Sequence, residues 1–264
     1  MISLAGIVTA LLVAARLGAA IMFMPIFSTM GVPKEARIAS VLTLTLVVAP
    51  ISPASPEFPG LAALAFALLS EVTVGVLMGG AVNILFQAMA VGGELISLQI
   101  GLAMATFFDP MMKTTQSPIG TLANLCAGVV FLLSNLHLVL VQALAESFAL
   151  LPPGNITAPL AGGAVWIPLV GEMLSLGVRM AGPVICLTFT VNVFVGFLMR
   201  LAPKMNVFFA LGMIVTQMAG LIMVFLTLPI LLDVHHEFVS DGVKWIRVIT
   251  NVSGANGPTG LGGP

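Results

Sequence analysis

The sequence predicts an all-α protein of membrane type, built from helical hairpins, and three observations carry that expectation. Of its 264 residues 59% are apolar and only 7% charged, against roughly 45–50% and about 25% in soluble domains. The apolar residues gather into long stretches punctuated by Gly and Pro, giving a mean hydropathy of +1.16. Ala, Leu and Met dominate those stretches, which favours helix over strand, and none shows the period-2 alternation of an outer-membrane barrel.

The first stretch, Leu4 to Phe27, lacks the basic flank and polar junction of a signal peptide and continues past Arg16, so it reads as a retained helix. GVPKEAR (Gly31 to Arg37) punctuates it, and Ile38 to Ala49 follows with about twelve residues, short of the roughly 20 that a spanning helix needs. After SPASPEFPG (Ser52 to Gly60), Leu61 to Phe108 runs for nearly fifty residues and carries Glu71 and Glu94. Such unequal lengths suggest short and broken hairpins. Non-helical backbone at membrane depth is tolerated only where protein or a water-filled cavity covers it, which implies a chain surrounded mostly by protein.

Asp109-Pro110 is expected to stop the preceding helix, because proline disfavours helical geometry at the residue before it. Leu122 to Leu151, Trp166 to Met199 and Met205 to Leu232 are the remaining apolar stretches, separated by LPPGNITAPLAGG (Leu151 to Gly163) and RLAPKMN (Arg200 to Asn206). Lys and Arg number two, none, one, none, two and two in the successive polar segments, counting the end of the chain from Asp233. The acidic residues blur that pattern, and no topology is assigned from it. Asn251 to Pro264 is rich in Gly, Pro and Asn and reads as a disordered tail. With no Tyr and only Trp166 and Trp245 the chain has no aromatic belt, again favouring helices covered by partners over helices bathed in lipid.

Several function classes find no footing. The nine Lys and Arg are scattered and the net charge is −1, so nucleic acid is not an expected partner. Asp109, Asp233 and Asp241 lie in polar turns or towards the end of the chain, which removes an intramembrane aspartyl protease. His236-Glu237 opens an HExxH pattern, but Ser240 stands where the second zinc-binding His belongs. Neither GxxxxGK[ST] nor GxGxxG occurs. Cys126 and Cys186 read as small buried hydrophobes. No catalytic constellation, metal or cofactor is expected.

Charges within the apolar stretches, namely Arg16, Glu71, Glu94, Glu146, Glu172, Arg179 and Arg200, each cost about 2.5–3.5 kcal/mol at a lipid-facing helix centre. They are expected to face partners or water. Glu172 and Arg179 share a helix face but lie about 10 Å apart along its axis, too far to pair with one another. Gly75, Gly79, Gly92, Gly93 and Gly101 suit close helix packing. The segment ATFFDPMMKTTQSPIG (Ala105 to Gly120) mixes bulky apolar and polar residues. Phe107, Phe108, Met111 and Met112 are wasted on water, but inside a channel they would form a deformable obstruction.

Taken in order, Arg16, Pro25-Ile26-Phe27, Gly31 to Arg37 with Pro33, Glu71, Gly75, Phe86, Gly92, Gln99, Gly101 and Asp109-Pro110 form one half of a pattern. His137, Ser147-Phe148, Pro152, Gly154, Pro183, Gly196, Arg200, Pro203 and Asn206-Val207-Phe208 form the other. In this order and spacing the chain resembles the FliR family of type III export proteins, flagellar and injectisome. Lys204 departs from an expected Gln, and Gly212-Met213 lacks the usual proline, which touches local contacts only.

The resemblance implies a subunit of a helical hetero-oligomeric export gate, joined to FliP-like and FliQ-like subunits and contacted by an FlhB-like subunit in the bacterial inner membrane, within the flagellar basal body. It implies a single helical domain over about 1–250, with a FliP-like part over about 1–165 and a FliQ-like helix pair over about 166–250, and it implies unfolded exported proteins as cargo. The family's pore-plugging loop falls on Ala105 to Gly120, placing Phe107, Phe108, Asp109, Pro110, Met111, Met112, Ser117, Pro118 and Ile119 in the plug. Arg16, Glu71, Glu94, Glu172, Arg179, Arg200 and Lys204 are then expected as subunit-interface charges. Two alternatives remain open: an injectisome component, and a secondary transporter with a midplane site on Glu71, Glu94 and Arg179.

Overall fold

A computed structural model describes residues 4–24, 32–103, 116–154, 166–201 and 207–253, with the side chains at 4, 207–210, 238 and 240–253 excepted. All regular structure among them is helical: α1 (Leu4–Phe23), α2 (Lys34–Val48), a 3-10 turn (Ala49–Ile51), α3 (Leu61–Gln99), α4 (Pro118–Leu133), α5 (Leu136–Leu150), α6 (Trp166–Leu201) and α7 (Val207–Ser253). α1, α3, α6 and α7 are long and apolar enough to cross a membrane, and α4 with α5 passes the same test as one broken span.

The long stretch that begins at Leu61 is unbroken as far as Gln99: α3 runs for 39 residues, about 58 Å at 1.5 Å per residue. It contains no proline, and its glycines sit where other helices press against it. α3 stops at Gln99, where Gly101 turns the chain with φ +84°, a left-handed geometry that glycine adopts without strain; Asp109-Pro110, expected to stop the helix before it, lies outside the described residues. The stretch read as Leu122 to Leu151 breaks instead, at Asn135, whose φ of 54° is the only positive value on a non-glycine residue in the described chain. α7 continues to Ser253, three residues into the segment read as a tail; 254–264 lie outside the described residues.

The chain forms two compact units, residues 1–85 with 132–170 and 239–264, and residues 86–131 with 171–238. In the first unit, Gly75 and Gly79 of α3 lie directly against the backbone of α1: a methyl group at either would run into the carbonyl of Arg16 or of Ala20. This is the small-xxx-small spacing that lets two helices touch through their backbones. Asn83 Nδ2 donates to the Phe23 carbonyl at 3.1 Å, satisfying one of the orphan acceptors at the end of α1. The proline-rich link between the 3-10 turn and α3 is tied down by Ser55, whose N–H donates to Thr9 Oγ1 at 3.0 Å.

In the second unit, Ile96, Ile100, Ile119, Ala181 and Val184 form an apolar core drawn from α3, α4 and α6. Gly93 meets α4 at Gly120 and Ala123, and Gly92 meets α6 at Gly177 and Met180. Phe86 packs edge-on to Phe131 with ring centroids 4.9 Å apart and edge-on to His235 at 6.0 Å. Four of the five glycines expected in close packing are used that way; Gly101 serves a turn.

Candidate functional site

Within the first unit the charges of α1 and α3 find each other. Arg16 Nε donates to Glu71 Oε2 at 2.6 Å and Nη2 to Glu71 Oε1 at 3.1 Å, a bidentate pair with both side chains 1% exposed. Nη1 donates to Ser147 O and to Ser147 Oγ, both at 3.2 Å, and Nη2 also donates to Leu151 O at 3.0 Å. All five guanidinium N–H groups are thereby used. The Gly154 N–H donates to Glu71 Oε1 at 2.8 Å, and the guanidinium carbon stands 4.3 Å from the centroid of the Phe148 ring. The cluster satisfies carbonyls at the C-terminal end of α5, where a cation is favoured by the helix dipole.

Arg16 and Glu71, expected as subunit-interface charges, find their partners within their own unit. Burial of either alone in an apolar helix pair would be costly, and the pair answers that cost internally with a complete set of hydrogen bonds. Glu71, with its two oxygens held by Arg16 and Gly154, does not present a free carboxylate for a transporter's coupling-ion site. No pattern in the sequence announced this pairing, which joins residues 55 apart.

In the second unit, Glu94 is half-buried and its Oε1 accepts the Ser117 N–H at 2.7 Å. Ser117 is also the N-cap of α4: its Oγ accepts the Gly120 N–H at 3.0 Å, and Pro118 takes the first helical position without an N–H to satisfy. Ser117 and Ile119 are buried and Pro118 is exposed. These three are the part of the expected plug loop that is described; Phe107, Phe108, Asp109, Pro110, Met111 and Met112 lie outside the described residues, as does Lys204.

Glu172, Arg179 and Arg200 all lie exposed on α6. Arg200 sits in its last turn, where a cation suits the helix dipole. Around them Phe189, Val193, Phe194 and Phe197 are more than half exposed. Only 11% of the most apolar window of α6 and 17% of that of α7 is buried within the chain. Cys186, expected buried, is exposed, and Cys126 is half-buried. An apolar crevice in the second unit, lined by Met89, Ile96, Leu122, Cys126, Met180 and Leu228 among others, offers no charged or strongly polar group to a ligand. Among the described residues, no group of three or more His, Cys, Asp or Glu could hold a metal ion.

Comparison with known proteins places this geometry in context. Residues 7–242 match a family described as bacterial export proteins, family 1. The chain is 31% identical over 224 residues to the flagellar biosynthetic protein FliR of Pectobacterium carotovorum, covering 82% of each chain. To the FliR protein of Escherichia coli K12 it is 31% identical over 220 residues, covering 82% of this chain and 83% of the relative. The surface presentation of antigens protein SpaR of Salmonella typhimurium is 27% identical over 220 residues, covering 83% of this chain and 82% of the relative.

Proposed function

This chain belongs to the FliR family of bacterial export proteins, and from that membership we propose that it is a channel-forming core component of the flagellar type III export apparatus, passing unfolded flagellar subunits across the inner membrane. The observation that carries this reading is the surface of α6 and α7: helices of span length whose most apolar windows are largely uncovered by their own chain. Glu172, Arg179 and Arg200 on α6 belong to this reading as interface charges, and so does Lys204. They meet FliP-like and FliQ-like subunits, and an FlhB-like subunit contacts the assembly.

The division into a FliP-like part over about 1–165 and a FliQ-like helix pair over about 166–250 belongs to this reading. So does the plug, in which Phe107, Phe108, Met111 and Met112 obstruct the resting pore by apolar packing and yield to a passing polypeptide. The similarity to SpaR, at nearly the same coverage as the FliR proteins, favours a second reading, a homologous role in an injectisome.

Copurification with tagged FliP-like and FliQ-like proteins tests the assembly: a stable complex is expected, and failure to recover one overturns the reading. Replacing Phe107 and Phe108 by Ala, or shortening Gln116 to Pro118, is expected to raise ion conductance of the assembled complex in a planar bilayer. Unchanged conductance removes the plug. Loss of motility on deletion separates the flagellar role from the injectisome one.

A further inference from the structure

We propose that one face of α6, formed by Phe189, Asn192, Gly196 and Met199, seats a helix of a partner subunit whose side-chain carbonyl oxygen accepts a hydrogen bond from the Asn192 amide. The inference deepens the reading of α6 as an interface and rests on it, while its geometry lies wholly within the second unit.

The α6–α7 pair closes around a narrow seam. A methyl group on Gly212 would run into Val195, and one on Gly220 would come within 3.5 Å of Thr188. Midway between them Thr216 Oγ1 donates to Asn192 Oδ1 at 3.0 Å, with the Gly212 carbonyl 2.9 Å away as its other acceptor. That carbonyl already takes an N–H of its own helix, so the single hydroxyl proton can go to the amide. The amide oxygen is thus turned into the seam. Its nitrogen, on the same carbon, is left on the open side: Asn192 is exposed, and its amino group has no partner among the described residues.

Phe189, Asn192, Gly196 and Met199 are all exposed, and their spacing sets them on one helix face. Asn192 lies thirteen residues beyond Arg179 and eight short of Arg200, about 20 and 12 Å along the axis. The exposed side chains around it, Phe189, Val193, Phe194 and Phe197, are apolar. An amide donor without an acceptor in such surroundings is costly. Acyl chains offer no acceptor, and the backbone carbonyls of a helix are already engaged, which leaves a side-chain oxygen on an apposed helix. Gly196 makes room for that helix: nothing lies within 4 Å of the position its Cβ would take, and small residues let helix backbones approach closely. A lone amide between apolar helices fixes register, so this contact specifies which partner helix the face accepts and at which level.

The test uses the assembled complex with its partner subunits. Asn192→Leu should raise the rate at which this subunit dissociates from the purified complex by roughly 3- to 20-fold, the range that an interhelical hydrogen bond in a membrane implies. Gly196→Leu, whose added Cβ meets nothing of its own chain, should weaken the complex too. Thr216→Val removes the bond inside the hairpin but leaves the amide for its partner, and should dissociate at the wild-type rate. Failure of either leucine variant to assemble, where Thr216→Val assembles, counts as weakening. If either leucine variant is as stable as wild type, or Thr216→Val is weakened as much as Asn192→Leu, the proposal is overturned. A photoreactive benzoylphenylalanine in place of Phe189, which keeps Asn192, should give an adduct with a partner subunit. An adduct with phospholipid or exported polypeptide in its place, or none outside this chain, also overturns the proposal. Failure of the wild-type chain to form any complex would instead overturn the proposed function on which it rests.

Discussion

The Arg16–Glu71 pair offers the sharpest test of how the first unit is held together, because the two side chains are 1% exposed and every guanidinium N–H has a partner. Replacing Glu71 by Ala removes two bonds to Arg16 and the acceptor for the Gly154 N–H, leaving a buried cation and a buried donor unanswered. Breaking a buried pair by deleting one partner costs about 3–5 kcal/mol. Arg16→Leu should cost a similar amount, since it strands the Glu71 carboxylate and opens the Leu151 carbonyl.

The double variant Arg16→Leu/Glu71→Leu should be less harmful than either single change, because replacing both charges by apolar groups is often close to neutral. At roughly 2–4 °C per kcal/mol for chains of about 150–250 residues, each single variant should lower the thermal midpoint of the purified complex by about 6–20 °C. The assay is the fraction of complex surviving heat challenge, read by size-exclusion chromatography. Singles that match wild type, or a double variant as damaged as the two singles together, would refute the view that the cost lies in stranding one charge.

Three further outcomes follow from the packing. Gly79→Leu drives a side chain into the Ala20 backbone, so the α1–α3 contact should be lost and the complex should not be recovered by affinity purification. Gly154 sits at φ +92° with Phe58 against it; Gly154→Ala should cost about 1–3 kcal/mol and show as a lower thermal midpoint. His235 is fully buried against Phe86, and neither ring nitrogen has a hydrogen-bond partner among the described residues. His235→Phe should therefore preserve the edge contact and raise stability by up to about 1–3 kcal/mol, and a destabilised complex would mean that a partner subunit supplies the missing bond.

What the sequence disclosed and what it concealed divide along the range of the interactions. Gly75 and Gly79 could be read as packing residues because four-residue spacing on a helix is a local property, whereas Pro118 to Gly120, read as the end of a loop, form the first turn of α4. Arg16 and Glu71 were each conspicuous as charges in apolar stretches, but their pairing depends on how α1 and α3 cross, and nothing local encodes that. The end of α3 was hidden for a different reason: Gly101 was read as a packing residue, and its left-handed turn was not anticipated. Asn135 breaks the α4–α5 stretch with no proline or glycine beside it, and the only local signal was Ser134-Asn135 itself, Asn being the side chain that best tolerates the left-handed conformation seen there.

Helix length gives the exposed apolar surface its meaning. α3, α6 and α7 hold 39, 36 and 47 residues, about 58, 54 and 70 Å at 1.5 Å per residue, whereas the hydrocarbon core of a bilayer is about 30 Å thick. A tilt within the usual range cannot absorb that excess. Lipid therefore covers at most part of each helix, and an apolar face that emerges into water must be buried by something else. Between helices in lipid there is no hydrophobic drive, only packing and polar contacts. Beyond the lipid that drive returns, at about 25 cal/mol for each Å² removed from water. Exposed residues such as Phe189, Phe194, Phe197 and Phe225 would then contribute most to assembly at whichever level the bilayer does not reach, and the buried pair on α1 and α3 would hold the subunit's own shape while they do so.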